Sequence, residues 1–134
     1  MRILLDTHIL LWALTGSDKL SPKAQAMILS KENEIFYSTA AVWEVSIKHS
    51  IHPENMPVSG KELSEYCQKA GYEMLSVRDE HVYALETLFR LDDAPRHNDP
   101  FDRIMVAQAK SEEMLLLTHD SLIPYYNEKC IVLV

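Results

Sequence analysis

Short unbroken apolar runs alternate with amphipathic stretches along the chain. "RILL" at Arg2–Leu5 is β-like and stops at Asp6, and "THILLWAL" after it has helical character. Ser21 is a good N-cap, with Pro22 at the first helical position, for a helix through "KAQAMILSKE". "EIFYS" reads as a second short strand. In "TAAVWEVSIKHS" the residues Ala41, Val42, Val45 and Ile47 surround Glu44, which predicts a helix facing the core. Residues 51–57 hold two prolines and an asparagine and form a loop. Ser59 caps "KELSEYCQKA", which Gly71 ends. "YEMLSV" is strand-like, "EHVYALETLFRL" reads as an amphipathic helix, and "DDAPRHNDP" is a polar connection. Asp99 and Pro100 then supply the cap and first position of a helix over "FDRIMVAQAKS". "MLLLT" is a buried strand, and "CIVLV" closes the chain.

Strands that alternate with helices predict an α/β fold around a mainly parallel sheet. At 134 residues the chain reads as one domain, residues 1–134. In such sheets, sites gather beyond the carboxyl ends of the strands. Asp6 follows the first strand, and Asp120 follows "MLLLT" by one residue, so both fall on one edge of the sheet.

Four carboxylates stand out by position: Asp6 between two apolar runs, Glu44 inside "AAVWEVSI", Asp102 ahead of Ile104–Val106, and Asp120 after "LLLTH". Asp99 lies three residues before Asp102, on the same helix face. Taken singly, Asp6 and Asp99 are equally readable as helix caps, and Glu44 and Asp120 as solvated or structural acids. Taken together, acids crowded in a partly dry pocket repel one another, and a divalent cation removes that conflict. Mg²⁺ and Mn²⁺ prefer hard oxygen ligands and leave positions for substrate phosphate. Thr7 and Thr118 flank the acids, and Ser38 ends the second strand at the same edge. Each hydroxyl suits a carboxylate partner or substrate contact, and equally a strand end or helix cap. Arg103, next to Asp102, suits an acid, a phosphate or a partner protein.

Composition narrows the classes. The chain is 47% hydrophobic and 25% charged, as in an ordinary soluble globular protein. A net charge of -7 argues against a protein that simply coats nucleic acid through a basic face, but not against an enzyme that meets phosphate through metal ions. Cys67 and Cys130 form no CxxC pattern, and the six histidines show no HExxH or HxH spacing, which argues against zinc. No run approaches the ~20 apolar residues that a membrane span needs. The first apolar run breaks at Asp6 without an A-x-A site, so a signal peptide is not expected and a reducing cytoplasm is the default.

The ordered stretches "LLDTHILLWAL", "KLSPKA", "YSTAAVWEVSIK", "HNDPFDRIMVAQA" and "LLTHDSLIPYY" resemble the PIN-domain family, in particular VapC-type toxins of type II toxin–antitoxin pairs. The resemblance covers nearly the whole chain. It implies a three-layer α/β/α fold and a Mg²⁺- or Mn²⁺-dependent endoribonuclease. It places the family's acids on Asp6, Glu44, Asp102 and Asp120, with Asp99 an additional candidate, and its hydroxyls on Ser38 and Thr118. It also implies a homodimer and neutralisation by a cognate antitoxin. One departure is "LDDAPRHNDP", where Asp92 and Asp93 lengthen a step that is shorter in relatives and bear on RNA preference.

Other classes fit less well. A non-catalytic PIN-like module that binds RNA or protein is expected to have lost one or more acids, and here the set is complete. A dehalogenase-type phosphatase wants a second Asp where "DTH" has His8. A receiver domain wants acids ahead of the first-strand Asp and a late Lys, and neither pattern is evident.

Overall fold

The computed structural model describes Met1–Val134. Five strands, β1 (Arg2–Leu5), β2 (Glu34–Ser38), β3 (Glu73–Leu75), β4 (Leu115–Thr118) and β5 (Ile131–Leu133), form one sheet in the order β3-β2-β1-β4-β5. Every pairing is parallel. Six helices connect them: α1 (Thr7–Thr15), α2 (Pro22–Leu29), α3 (Thr39–Ile51), α4 (Gly60–Lys69), α5 (Asp79–Leu85) and α6 (Pro100–Glu112). A 3₁₀ turn at Ile123–Tyr126 joins β4 to β5. Parallel strands need crossovers, and right-handed crossovers that reverse direction after β3 send helices to both faces. The result is the three-layer α/β/α arrangement.

The central strands explain their own sequence. Ile3, Leu4 and Leu5 of β1 and Leu116 and Leu117 of β4 are fully buried, so these strands are apolar on both faces rather than alternating. α4 lies close on α3: a Cβ at Gly60 would sit 2.9 Å from the Val42 carbonyl oxygen, a contact only glycine avoids. No helix is long and apolar enough to cross a membrane.

Four expectations change. The helix after Pro22 stops at Leu29 rather than Glu32, because the Asn33 amide donates to the Met27 carbonyl at 2.8 Å and turns the chain. The helix expected over 80–91 ends at Leu85, where the Thr87 hydroxyl takes the Ala84 carbonyl at 2.6 Å. β3 keeps three residues of "YEMLSV", since the Val77 N–H leaves the sheet for the Thr39 hydroxyl at 3.2 Å. Ile47, expected on the core face of α3, is exposed.

Candidate metal centre

Strand order reverses between β1 and β4, and the crevice beyond their carboxyl ends is where such sheets hold ligands. Asp6 opens this crevice. Its N–H donates to the Leu117 carbonyl at 3.0 Å, which ties it to the end of β4. Its Oδ1 accepts from the Ile9 N–H at 2.9 Å, so the residue caps α1 and faces the site together. Burial raises the Asp6 pKa above the usual carboxylate value, opposed by the Thr118 hydroxyl, the Ile9 N–H and the charge on His8; Asp120 adds to the rise. Thr118 is itself fully buried, and its oxygen accepts from the Asp120 N–H at 3.0 Å.

Glu44 projects from α3 and is 3% exposed. Both oxygens are engaged: Oε1 accepts from Thr7 Oγ1 at 2.7 Å, and Oε2 meets Lys48 Nζ at 2.6 Å. A buried carboxylate needs such partners. Asp99 caps α6, accepting from the N–H groups of Phe101 and Asp102 at 2.9 and 3.1 Å. Asp102 follows on the first turn, and its carboxyl is pushed up to about 8. Burial is the largest cause, followed by the charges of Asp99, Asp6, Glu44 and Asp120. The other four predicted acids therefore all lie within electrostatic reach of Asp102. Asp120 is partly open: Oδ1 accepts from the Leu122 N–H at 2.9 Å, and about a third of its side chain remains exposed.

Sequence reasoning missed His97. Its Nε2 lies 3.4 Å from Asp102 Oδ2 and 3.9 Å from Asp120 Oδ2. The donor atoms of these three residues fall within 4.8 Å of one another. Burial lowers the His97 pKa and raises that of Tyr126, so a neutral imidazole meets a protonated phenol. His97 Nδ1 and the Tyr126 hydroxyl share a hydrogen bond at 2.8 Å; with the phenol as donor the ring proton sits on Nε2, and with Nδ1 as donor Nε2 carries a lone pair. In the first tautomer Nε2 donates to Asp102, and in the second it is a ligand atom beside Asp102 and Asp120. Arg90 was missed too. Its guanidinium lies 4.9 Å from the Tyr126 ring centroid, Nη2 donates to the Leu122 carbonyl at 3.3 Å, and the buried Nε has no partner. Neither residue sits on a periodic element, so only nearness to "DPFD" could have flagged His97.

Two predicted residues land differently from the acids. Ser38 is fully buried; its hydroxyl donates to Gln108 Oε1 at 2.6 Å and accepts from the Ala40 N–H at 3.0 Å. It is spent on joining β2, α3 and α6, and is not available to a substrate. Arg103 lies beside the Tyr126 hydroxyl and near His97, on the rim of the acidic pocket.

This donor set fits a hard divalent cation. Oxygens of Asp102 and Asp120 converge with His97 Nε2 and without cysteine, and burial and neighbouring acids raise the Asp102 pKa, a conflict that a cation would relieve.

The PIN-domain profile matches residues 3–128. No curated protein matches the chain. Among solved structures, VapBC2 from Rickettsia felis bound to a DNA fragment from their promoter is similar, with a TM-score of 0.69 at 17% identity. That match covers 100% of this chain and 98% of the other, and at this identity it speaks to the fold. The acids gathered at the reversal of a five-stranded parallel sheet lie within a family match spanning nearly the whole sequence, and the chain belongs to the PIN-domain family.

Proposed function

We propose that this PIN domain is a Mg²⁺- or Mn²⁺-dependent endoribonuclease and the toxin of a type II toxin–antitoxin pair. The observation that carries the reading is the gathering of Asp6, Glu44, Asp99 and Asp120 around a buried Asp102, whose carboxyl is pushed up to about 8 by burial first and by those charges next. An enzyme has reason to keep so unfavourable a cluster if a cation is meant to relieve it.

Asp6, Asp102 and Asp120 would hold the ion, with Glu44 and Asp99 contributing charge around it. When bound, such an ion acidifies water and stabilises the departing oxygen of a phosphodiester. The chain's own groups do the rest. Thr7 and Lys48 engage both oxygens of the buried Glu44 and fix its position. With Tyr126 donating to Nδ1, the His97 Nε2 proton would orient the Asp102 carboxyl. Arg103, on the rim, pairs with the substrate phosphate. RNA enters from the open side of Asp120.

Family membership and the VapBC2 likeness support an antitoxin partner, with a homodimer and a cytoplasmic setting as parts of the same reading. The test is cleavage of several RNA classes by purified, partner-free protein with Mg²⁺, Mn²⁺ or EDTA, beside Asp6→Asn. Cleavage that needs metal and vanishes in the variant supports the reading. Full activity in Asp6→Asn overturns the site, and no cleavage by metal-loaded protein overturns the activity.

A further inference from the structure

Next to the acids lies a stack of rings that the mechanism does not use. His8, two residues after Asp6, projects from the first turn of α1 and is exposed. Trp12, one turn on, stacks with it at 5.8 Å between centroids and 22° between planes. His119, directly before Asp120, meets Trp12 edge-on at 5.3 Å and 70°. The His119 ring is held in turn by Nδ1, 2.7 Å from the Val134 carbonyl oxygen. Trp12 is half-buried against the core, so the stack is braced from within and open at His8.

We infer that His8, backed by Trp12 and His119, is a stacking platform for a nucleobase of single-stranded RNA beside the scissile phosphate. This rests on the nuclease reading above and adds how substrate is held. Two features of the chain favour it. The rings are attached to the residues that bracket the crevice, Asp6 on one strand end and Asp120 on its neighbour. A base resting there is therefore joined to a phosphate at the acids. The second is charge. With 13 Lys and Arg against 20 Asp and Glu, the chain gains little from counterion release on binding RNA. Affinity must come from contacts that do not depend on net charge, and base–aromatic stacking is worth roughly 1–3 kcal/mol per base. A ring already stacked on Trp12, which His119 holds in turn, loses little freedom when a base covers it. The platform is indifferent to base identity, since every base has a stacking face.

The test is binding of a short single-stranded RNA to Asp6→Asn protein carrying Trp43→Phe, which leaves Trp12 as the only tryptophan. We expect RNA to quench Trp12 fluorescence, and His8→Ala to weaken binding about 5- to 100-fold. His8→Phe, which keeps a flat ring, restores it. An RNA with one abasic nucleotide beside the cleavage position loses a similar factor on the His8 protein and none on His8→Ala. Unchanged binding in His8→Ala, or an equal abasic penalty in both proteins, overturns the platform. So does a His8→Ala variant that keeps RNA but loses a protein antitoxin, which would assign the rings to that contact. The nuclease reading fails separately: RNA that binds and quenches but is never cleaved by the wild-type chain leaves the platform standing.

Discussion

The hydroxyl of Thr7 donates to Glu44 Oε1 across 2.7 Å, joining the first turn of α1 to the middle of α3. Both residues are buried, so the bond replaces water that neither can reach. Thr7→Val keeps the shape and removes the donor, leaving one carboxylate oxygen of Glu44 unsatisfied. The expected loss is about 1–3 kcal/mol of stability, read by urea denaturation. Thr7→Ser should recover most of it. A Thr7→Val protein as stable as wild type would show that water serves Glu44 instead.

Asp102 makes the cation-free protein pH-sensitive in an unusual direction. Its carboxyl titrates at about 8 in the fold against an ordinary value of 3.8, because it is buried among other acids. A raised folded-state pKa favours the protonated form, so this stability is fully present below the ordinary value. It is lost as pH rises from there through about 8. In EDTA the wild-type melting temperature should therefore fall over that window. Asp102→Asn should show a flatter profile and a higher melting temperature at pH 7. Mg²⁺ or Mn²⁺ should raise the wild type most at the alkaline end and leave the variant almost unmoved. A variant less stable than wild type at pH 7 in EDTA would contradict the crowding on which the site assignment rests.

At the opposite end of α6, Glu112 works the other way. It accepts from His81 Nε2 at 3.0 Å and from Arg78, while its backbone carbonyl accepts from Arg2. The His81 hydrogen bond is the largest cause of its lowered pKa, with the charges on Arg78, His81 and Arg2 adding to it and partial burial opposing. His81 is fully buried, and its Nδ1 accepts from the Arg78 N–H at 3.0 Å. Glu112→Ala strands Nε2 and should cost about 1–3 kcal/mol at neutral pH. A lowered carboxylate pKa gives stability present above the ordinary value and lost as pH falls through the folded one. The gap between the two proteins should therefore close in acid. A gap constant from pH 7 to pH 3 would mean that packing, not charge, is what the variant loses.

Much of this arrangement is legible in the chain, and the limits are local. The unbroken runs "RILL" and "MLLLT" announce strands buried on both faces, and acids immediately beyond them mark the sheet edge where a site belongs. Side chains that compete for backbone are harder to foresee. Thr87 shortens α5 and Asn33 shortens α2, each by taking a carbonyl that periodicity assigns to the helix. Ser38 reads as an edge hydroxyl but meets Gln108, a partner 70 residues away that no spacing reveals. His97 and Arg90 act from an irregular segment whose course is set only when the turn carrying Tyr126 packs beside it.

That packing leads to the Tyr126 hydroxyl. We expect it to donate to His97 Nδ1 across 2.8 Å and so to fix the proton on Nε2, which faces Asp102 and Asp120. Tyr126→Phe removes the donor but keeps the ring, which stacks edge-on with His97 and beneath Arg90. Nδ1 is then free to take the proton, and Nε2 would turn a lone pair toward two carboxylates. Losing an orienting partner of this kind typically costs 10- to 100-fold in metal affinity or activity. We expect a loss in kcat of about tenfold, with a stability change of about 1 kcal/mol for the missing bond. Nitrogen chemical shifts of His97 separate this from a purely structural effect. They should report a single Nε2–H tautomer in the wild type and a mixture in Tyr126→Phe. A wild-type ring already protonated on Nδ1 would reverse the bond, making Tyr126 an acceptor and freeing His97 Nε2 to serve as a ligand beside Asp102 and Asp120.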